Sequence, residues 1–263
     1  MSLALLRTVR AERLKLRRSL TSWAILAGGL FVPAIMLAVR YHQRARTASM
    51  LESGTFWRQH WLESWESISI LILPLLLILV TTLVVQIEYR NNTWKQLHAA
   101  PLGIPTIYLA KLAVLLALLA AMFAVLNAGL FLAGALPLAS IAGTAGLDAF
   151  PARELLRWNA RFFVDCLPLL GLQYALALRF RNVLVPLGVG VGVWIAGLVV
   201  INTRHVVWVP YGYVGVDWLV QAGHRKAATL PLAIPALAAF AFGASLVAGL
   251  TLYALHRDRG ASL

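Results

Sequence analysis

The 263-residue chain is 60% hydrophobic and only 13% charged, and its mean hydropathy is +0.78. A soluble globular domain carries about 25% charged and about 45–50% apolar residues, so this composition excludes an ordinary soluble enzyme or binding domain. The net charge of +13 could suggest nucleic acid, but basic residues beside long apolar runs flank membrane spans and face anionic lipid headgroups. We therefore expect membrane lipid as a partner and no nucleic acid. The single cysteine, Cys166, permits no intrachain disulfide.

The first predicted element, over residues 1–20, is an amphipathic helix lying on the membrane. At about 100° per residue, Leu5, Val9 and Leu16 fall on one stripe, and basic residues lie around the rest. A simple cluster of charges that orients the first span is the alternative. Residues 7–18 are too long a basic stretch for a signal peptide, and the apolar run that follows is long enough to span.

Six apolar runs predict an all-α polytopic membrane protein with six transmembrane helices, because crossing a bilayer takes about 20 helical residues. The runs are residues 20–39, 68–87, 105–132, 162–178, 183–201 and 230–255. The fourth is the weakest, since it is short and carries Asp165 and Pro168. Lys and Arg concentrate before the first run, and an even number of spans puts both termini on one side, so both are predicted to be cytoplasmic.

Between the second and third runs, residues 88–104 form a cytoplasmic segment. Thr93 can cap a short helix over residues 94–100. A short, polar helix that carries an aromatic residue is a plausible docking element for a cytosolic partner. The alternative is a helix that only rests on the membrane surface through Trp94 and Leu97.

On the outer side, Trp57, Trp61 and Trp65 recur at helical spacing. This pattern favours an interfacial helix that leads into the second span and contributes to the aromatic belt, over a ligand-binding aromatic box. Residues 204–229 are too interrupted by Pro and Gly for a span. They predict a short helix or hairpin that dips into the outer interface.

Small residues recur four apart on one face of the fifth run, at Gly188, Gly192 and Ala196. Small residues at this spacing let helix backbones approach closely, so we interpret the face as a packing surface.

Several sequence signatures are missing. The chain contains no Gly-x-x-x-x-Gly-Lys-Ser/Thr phosphate loop. Its six histidines show no metal-ligand spacing, and no catalytic pair stands out. Asp165 is the one clear acid within the spans and lies near an end, whereas ion-coupled carriers need ionisable groups at mid-membrane. We therefore expect no enzyme, no catalytic residue, and no metal or cofactor bound by this chain.

Two stretches carry a resemblance to a known family. One is the run Glu12-Arg-Leu-Lys15-Leu-Arg-Arg-Ser that leads into the first span, and the other is Glu88…Thr93-Trp-Lys-Gln-Leu…Pro101 with Lys111 inside the third span. In these stretches, in span order and in loop lengths, the chain resembles the ABC-2-type transporter permeases. It is most similar to the short six-span branch that includes lantibiotic-immunity and bacitracin-export permeases.

The resemblance also implies which parts of the chain contact partner subunits. The N-terminal helix and the segment between spans two and three would contact a separate cytosolic ABC ATPase, present in two copies, which binds the ATP and Mg. The implied contact residues are Glu12, Lys15, Glu88, Thr93, Trp94, Lys95 and Leu97. Two permease subunits, identical or different, would pair, with spans two and five lining the path and Gly188, Gly192 and Ala196 on the fifth.

The sequence thus predicts the permease subunit of an ATP-driven exporter for a hydrophobic or amphipathic substrate, such as a peptide antibiotic or a lipid, in the bacterial cytoplasmic membrane. An ATP-independent carrier or channel is one alternative, and the missing mid-membrane charges argue against it. A membrane-embedded enzyme or assembly factor is another. A stable complex with an ATPase subunit would separate the first reading from the others.

Overall fold

The computed structural model describes residues 3–16, 19–90, 103–143, 146–147, 150–224 and 232–260, with side chains for all of these except 3–6, 15–16, 88–90 and 256–260. Within these residues all regular structure is helical. The α-helices are α1 (Leu3–Leu16), α2 (Leu20–His42), α3 (Arg44–Glu52), α4 (Phe56–Ser67), α5 (Leu73–Arg90), α6 (Ile104–Ala142), α7 (Ala152–Arg179), α8 (Leu184–Val200), α9 (Tyr213–Gln221) and α10 (Ile234–Gly260). A π-helical turn (Ile68–Ile72) joins α4 to α5, and two 3₁₀ turns (Arg204–Trp208 and Pro210–Gly212) precede α9.

In the described part of the chain, five helices are long and apolar enough to cross a membrane. They are α2, the continuous Phe56–Ile87 helix, α6, α7 and the Ile234–Leu255 part of α10. The predicted fifth span corresponds to α8, a shorter apolar helix of 17 residues, which is about 26 Å long. The prediction of an all-α polytopic membrane protein is confirmed.

Two helices extend well beyond the predicted spans. α6 runs to Ala142 rather than to residue 132, and α7 begins at Ala152 rather than at residue 162. Pro137 lies inside α6 without ending it, because prolines are tolerated in helices that span a membrane. The helix ends only at Gly143, which adopts a φ of 62°. Residues 136–161 therefore consist largely of the ends of two long helices.

The helices pack around α5 and α7. α2 lies against α6 and α5, α7 lies against α10 and α5, and α8 lies against α5. α1 packs on the beginning of α6, whereas α3 packs near the opposite end of the bundle, where Arg44 reaches Ser140. We call these two ends the α1 end and the far end.

The tryptophans of α4 are inside the bundle. Trp57 and Trp61 are each 5% exposed and Trp65 is fully buried. The ring centroids of Trp65 and Phe162 are 4.5 Å apart. The Trp57 indole donates to the carbonyl of Gly146. The interfacial-belt interpretation is wrong for these side chains. α4 continues through the π-helical turn into α5, so its tryptophan face turns toward α6 and α7.

The segment after α8 folds as expected from its composition, into short turns and the short helix α9. α9 is largely buried and packs on α7, α4 and α10. The Trp218 indole donates to the Leu62 carbonyl at 3.0 Å. By contrast Trp208, in the first 3₁₀ turn, is 82% exposed.

Candidate functional site

A buried ion pair fastens α1 to α6. The Lys111 ammonium donates to the Glu12 carboxylate at 3.0 Å, with side-chain exposures of 1% and 6%. Glu12 lies about 20° from Leu5 around the helix at 100° per residue, so it falls on the apolar stripe of α1. The Glu12 side of α1 therefore faces α6, and Lys111 neutralises this acid. Contact of Glu12 with a partner stays a prediction.

Most of the other predicted contact residues lie outside the residues that the structure describes. Thr93, Trp94, Lys95 and Leu97 are not among the described residues, and the side chains of Lys15 and Glu88 are not described. The flanking helices are described: α5 ends at Arg90, and α6 begins at Ile104 after the N-cap Gly103, with a proline in its first turn. The predicted docking segment thus connects two long helices directly, within two turns of Lys111.

The small-residue stripe of α8 faces away from the described bundle. Gly188, Gly192 and Ala196 are exposed, and a Cβ built on either glycine would meet nothing within 4 Å. Two other glycines of α8 do pack: a Cβ on Gly190 would lie 2.6 Å from the Gln173 side-chain oxygen, and Gly197 is buried against Gly212. The role of the stripe stays a prediction, since it contacts no described part of this chain.

A buried polar network at Gln173 links the helices predicted to line the path. The Gln173 amide nitrogen donates to Thr82 Oγ1 of α5 and to the Pro186 carbonyl of α8, both at 2.9 Å. The Tyr211 hydroxyl donates to the Gln173 oxygen at 2.8 Å. The network fixes α5, α7 and α8 relative to each other. The sequence analysis missed it, although a glutamine inside an apolar run is a signal that could have revealed it.

The far end holds a second polar cluster, centred on the fully buried Arg40. Its guanidinium donates to His60 Nδ1 at 3.2 Å and to Glu63 at 2.6 Å, and Arg46 donates to the other Glu63 oxygen at 2.7 Å. Because His60 Nδ1 accepts this bond, Nε2 carries the proton and donates to the Leu130 carbonyl at 3.0 Å. His60 and Glu63 are therefore partners of an arginine. Among the described residues, no group of three His, Cys, Asp or Glu side chains could hold a metal ion.

Near this cluster, Arg161 of α7 holds α9. Its guanidinium donates two hydrogen bonds to the Asp217 carboxylate, at 3.0 and 2.6 Å. In the same helix α9, burial raises the pKa of the Tyr213 hydroxyl, and the charge of Asp165 adds to that increase. The hydroxyl therefore stays protonated at neutral pH and donates to the Val207 carbonyl at 2.6 Å.

Comparison with known proteins gives the family. A family model described as "ABC-2 family transporter protein" matches residues 8–209, well over half of the chain. The match begins within α1 and includes both ends of the Glu12–Lys111 pair. No curated protein and no solved structure matched the chain. The chain therefore belongs to the ABC-2 transporter family and is a multi-pass membrane component of an ABC transporter, a transport protein rather than an enzyme in itself.

Proposed function

We propose that this chain is the permease subunit of an ATP-driven exporter and that it works with a separate cytosolic ABC ATPase, in two copies, that binds the ATP and Mg. The family match over residues 8–209 carries the proposal, since ABC-2 permeases generally pair with an ATPase subunit. The substrate is hydrophobic or amphipathic, such as a peptide antibiotic or a lipid. The chain lies in the bacterial cytoplasmic membrane with both termini in the cytoplasm. Membership of the lantibiotic-immunity and bacitracin-export branch belongs to the same proposal.

The α1 end is the side on which the ATPase docks. Trp94 is the buried anchor of the docking helix, with Glu88 and Lys95 as polar contacts. The described geometry supports this, because the docking segment runs into the beginning of α6 and α1 is fastened to the same stretch through Glu12 and Lys111. A push on either element would be transmitted to α6.

A co-purification of the permease with its ATPase tests the docking site. Aromatic anchors dominate interfaces, and truncating one often costs at least about 2 kcal/mol, so Trp94→Ala should weaken association more than tenfold. Lys95→Ala, a polar contact at the rim, should weaken it less. Trp208→Ala is the matched control, since that indole is 82% exposed on the side assigned to the exterior.

Two outcomes would count against this proposal. If Trp94→Ala behaves like Trp208→Ala, Trp94 only anchors the segment to the membrane and the docking site lies elsewhere, with α1 the next candidate. If the wild-type chain forms no stable complex with any ATPase subunit, an ATP-independent carrier, a channel or an assembly factor becomes the better reading.

A second permease subunit packs on the open face of α8. Small residues permit close helix approach, and in the described chain nothing covers Gly188 or Gly192. In a Cys166→Ala background, Gly192→Cys should cross-link two identical chains in membranes. Val247→Cys should not cross-link, although Val247 lies on α10 and is 67% exposed. Equal cross-linking at both positions would contradict this packing, and cross-linking only to a different permease chain would indicate a heterodimer.

A further inference from the structure

An apolar cavity of about 770 Å³ lies between α4, α6 and α7. Its walls are apolar, and the aromatic side chains that line it are Trp57, Trp61, Phe123, Phe131, Phe150 and Phe163. The volume falls within the range of about 300–1,000 Å³ that is typical of small-molecule sites. The cavity is separate from the Gln173 network and from the open face of α8.

The position of the cavity selects molecules that dissolve in a bilayer. Its lining includes Ala124, about 20 Å along α6 from Lys111, within one of the membrane-spanning helices. Leu156 and Phe131 at the cavity are 71% and 40% exposed, so it opens sideways from the bundle. Lipid surrounds the sides of membrane-spanning helices, so a ligand would enter from the lipid phase.

The polar groups in the lining select a neutral hydrogen-bond donor. The lining contains no Asp, Glu, Lys or Arg, and both nitrogens of its one histidine, His60, are hydrogen-bonded. The amide nitrogens of Asn127 and Asn159 donate to the carbonyls of Phe123 and Leu155, which leaves the amide oxygens as acceptors. The Asn159 oxygen is itself buried, so the Asn127 oxygen is the amide acceptor that the cavity exposes. A donor group on a ligand would pair with it inside an otherwise apolar pocket.

We propose that this cavity binds an uncharged, single-chain membrane amphiphile whose polar end donates hydrogen bonds. A monoacylglycerol has this chemistry: its acyl chain lies against the aromatic side chains, and a hydroxyl group donates to Asn127. Phosphate and ammonium headgroups are disfavoured because no charged side chain lines the cavity to pair with them. The site needs neither an ATPase nor transport, so it goes beyond the proposed function and stands independently of it.

Photolabelling tests whether the cavity is the site. The full chain in phospholipid nanodiscs is titrated with a monoacylglycerol that carries a diazirine in its chain, and the labelled peptides are mapped. Saturable labelling is expected on the parts of α6 and α7 around residues 120–131 and 152–164. Ala124→Trp fills the cavity and should reduce labelling at least tenfold. Ala121→Trp, at an exposed residue of the same helix outside the lining, should leave it unchanged.

A second probe isolates the hydrogen bonds. A fatty-acid methyl ester with the same chain and diazirine accepts hydrogen bonds but cannot donate them. Asn127→Leu should weaken binding of the monoacylglycerol about tenfold and leave binding of the methyl ester unchanged, which also shows that the variant is folded. If Asn127→Leu does not fold, Asn127→Ala takes its place.

Three results would overturn the proposal. The first is labelling that does not saturate, and the second is equal labelling of the Ala124→Trp and Ala121→Trp variants. The third is a folded asparagine variant whose affinity for the monoacylglycerol stays at the wild-type value or falls no more than its affinity for the methyl ester.

Discussion

The two ends of the bundle bury their charges in different ways. At the α1 end, Glu12 and Lys111 are both withdrawn from solvent, with side-chain exposures of 6% and 1%. At the far end, the fully buried Arg40 pairs with Glu63, whose side chain is 34% exposed and is shared with the exposed Arg46. An acid that reaches solvent tolerates the loss of one partner better than an acid withdrawn from solvent. The attachment of α1 is therefore more sensitive to a single substitution than the far end is.

This difference bears on function, because the ATPase is proposed to act at the α1 end. A peripheral helix that a buried pair fastens to the bundle is loosened when the pair separates, since each charge then loses a partner. The far end has hydrogen bonds from α2 to α4 and from α7 to α9, which hold its helices in fixed positions.

The largest expected effect comes from breaking the pair at the α1 end. Lys111→Met removes the ammonium that pairs with the buried Glu12 carboxylate, and breaking a buried pair typically costs about 3–5 kcal/mol. Because α1 is peripheral, the loss should appear as undocking of α1. Amide hydrogen exchange across residues 3–16 measures it, and protection there should fall by at least about a hundredfold, since 1.4 kcal/mol is tenfold.

A double variant is the control for this prediction. Glu12→Leu combined with Lys111→Met replaces the pair by apolar side chains on the apolar stripe, and such replacements are often neutral. Protection of α1 should therefore recover. If the double variant exchanges as fast as Lys111→Met alone, α1 is held by other contacts.

A smaller effect is expected at Arg40. Arg40→Met removes the hydrogen bonds to His60 and Glu63, but Glu63 keeps Arg46 and its access to solvent. The expected loss is about 2 kcal/mol of unfolding free energy, measured by tryptophan fluorescence during denaturation in detergent. Arg44→Met, whose hydrogen bond to Ser140 is exposed, is the matched control and should cost less than about 0.5 kcal/mol. Equal losses for the two variants would show that burial of Arg40 contributes nothing.

The fold could be predicted from the sequence because a bilayer leaves few choices. Backbone groups in lipid must be satisfied within a segment, so long apolar runs become helices. The ends of α6 and α7 were harder to predict, since a helix can continue beyond its most apolar run until a residue such as Gly143 stops it.

The candidate site was less predictable. Glu12 was singled out by its motif, but its burial depends on a lysine that is distant in sequence and belongs to α6. The Arg40–Glu63 pair forms only because α3 turns the chain back between α2 and α4, and α3 was not predicted. The same holds for Gly190, which sits in the same small-residue run as Gly188 and Gly192. Only the position of Gln173 on a neighbouring helix distinguishes it.

The smallest effect is expected where the far end meets α9. In the Arg161–Asp217 pair the arginine side chain is 36% exposed and the acid only 1%. Asp217→Asn keeps one acceptor for the guanidinium, and water can solvate the other donor because Arg161 reaches solvent. The expected cost is therefore about 1 kcal/mol, measured by the same fluorescence-detected denaturation, with the exposed Glu52→Gln as the neutral control. A loss as large as that of Lys111→Met would mean that Arg161 is sealed from solvent in the membrane. Breaking this pair would then cost as much as breaking the buried pair at the α1 end.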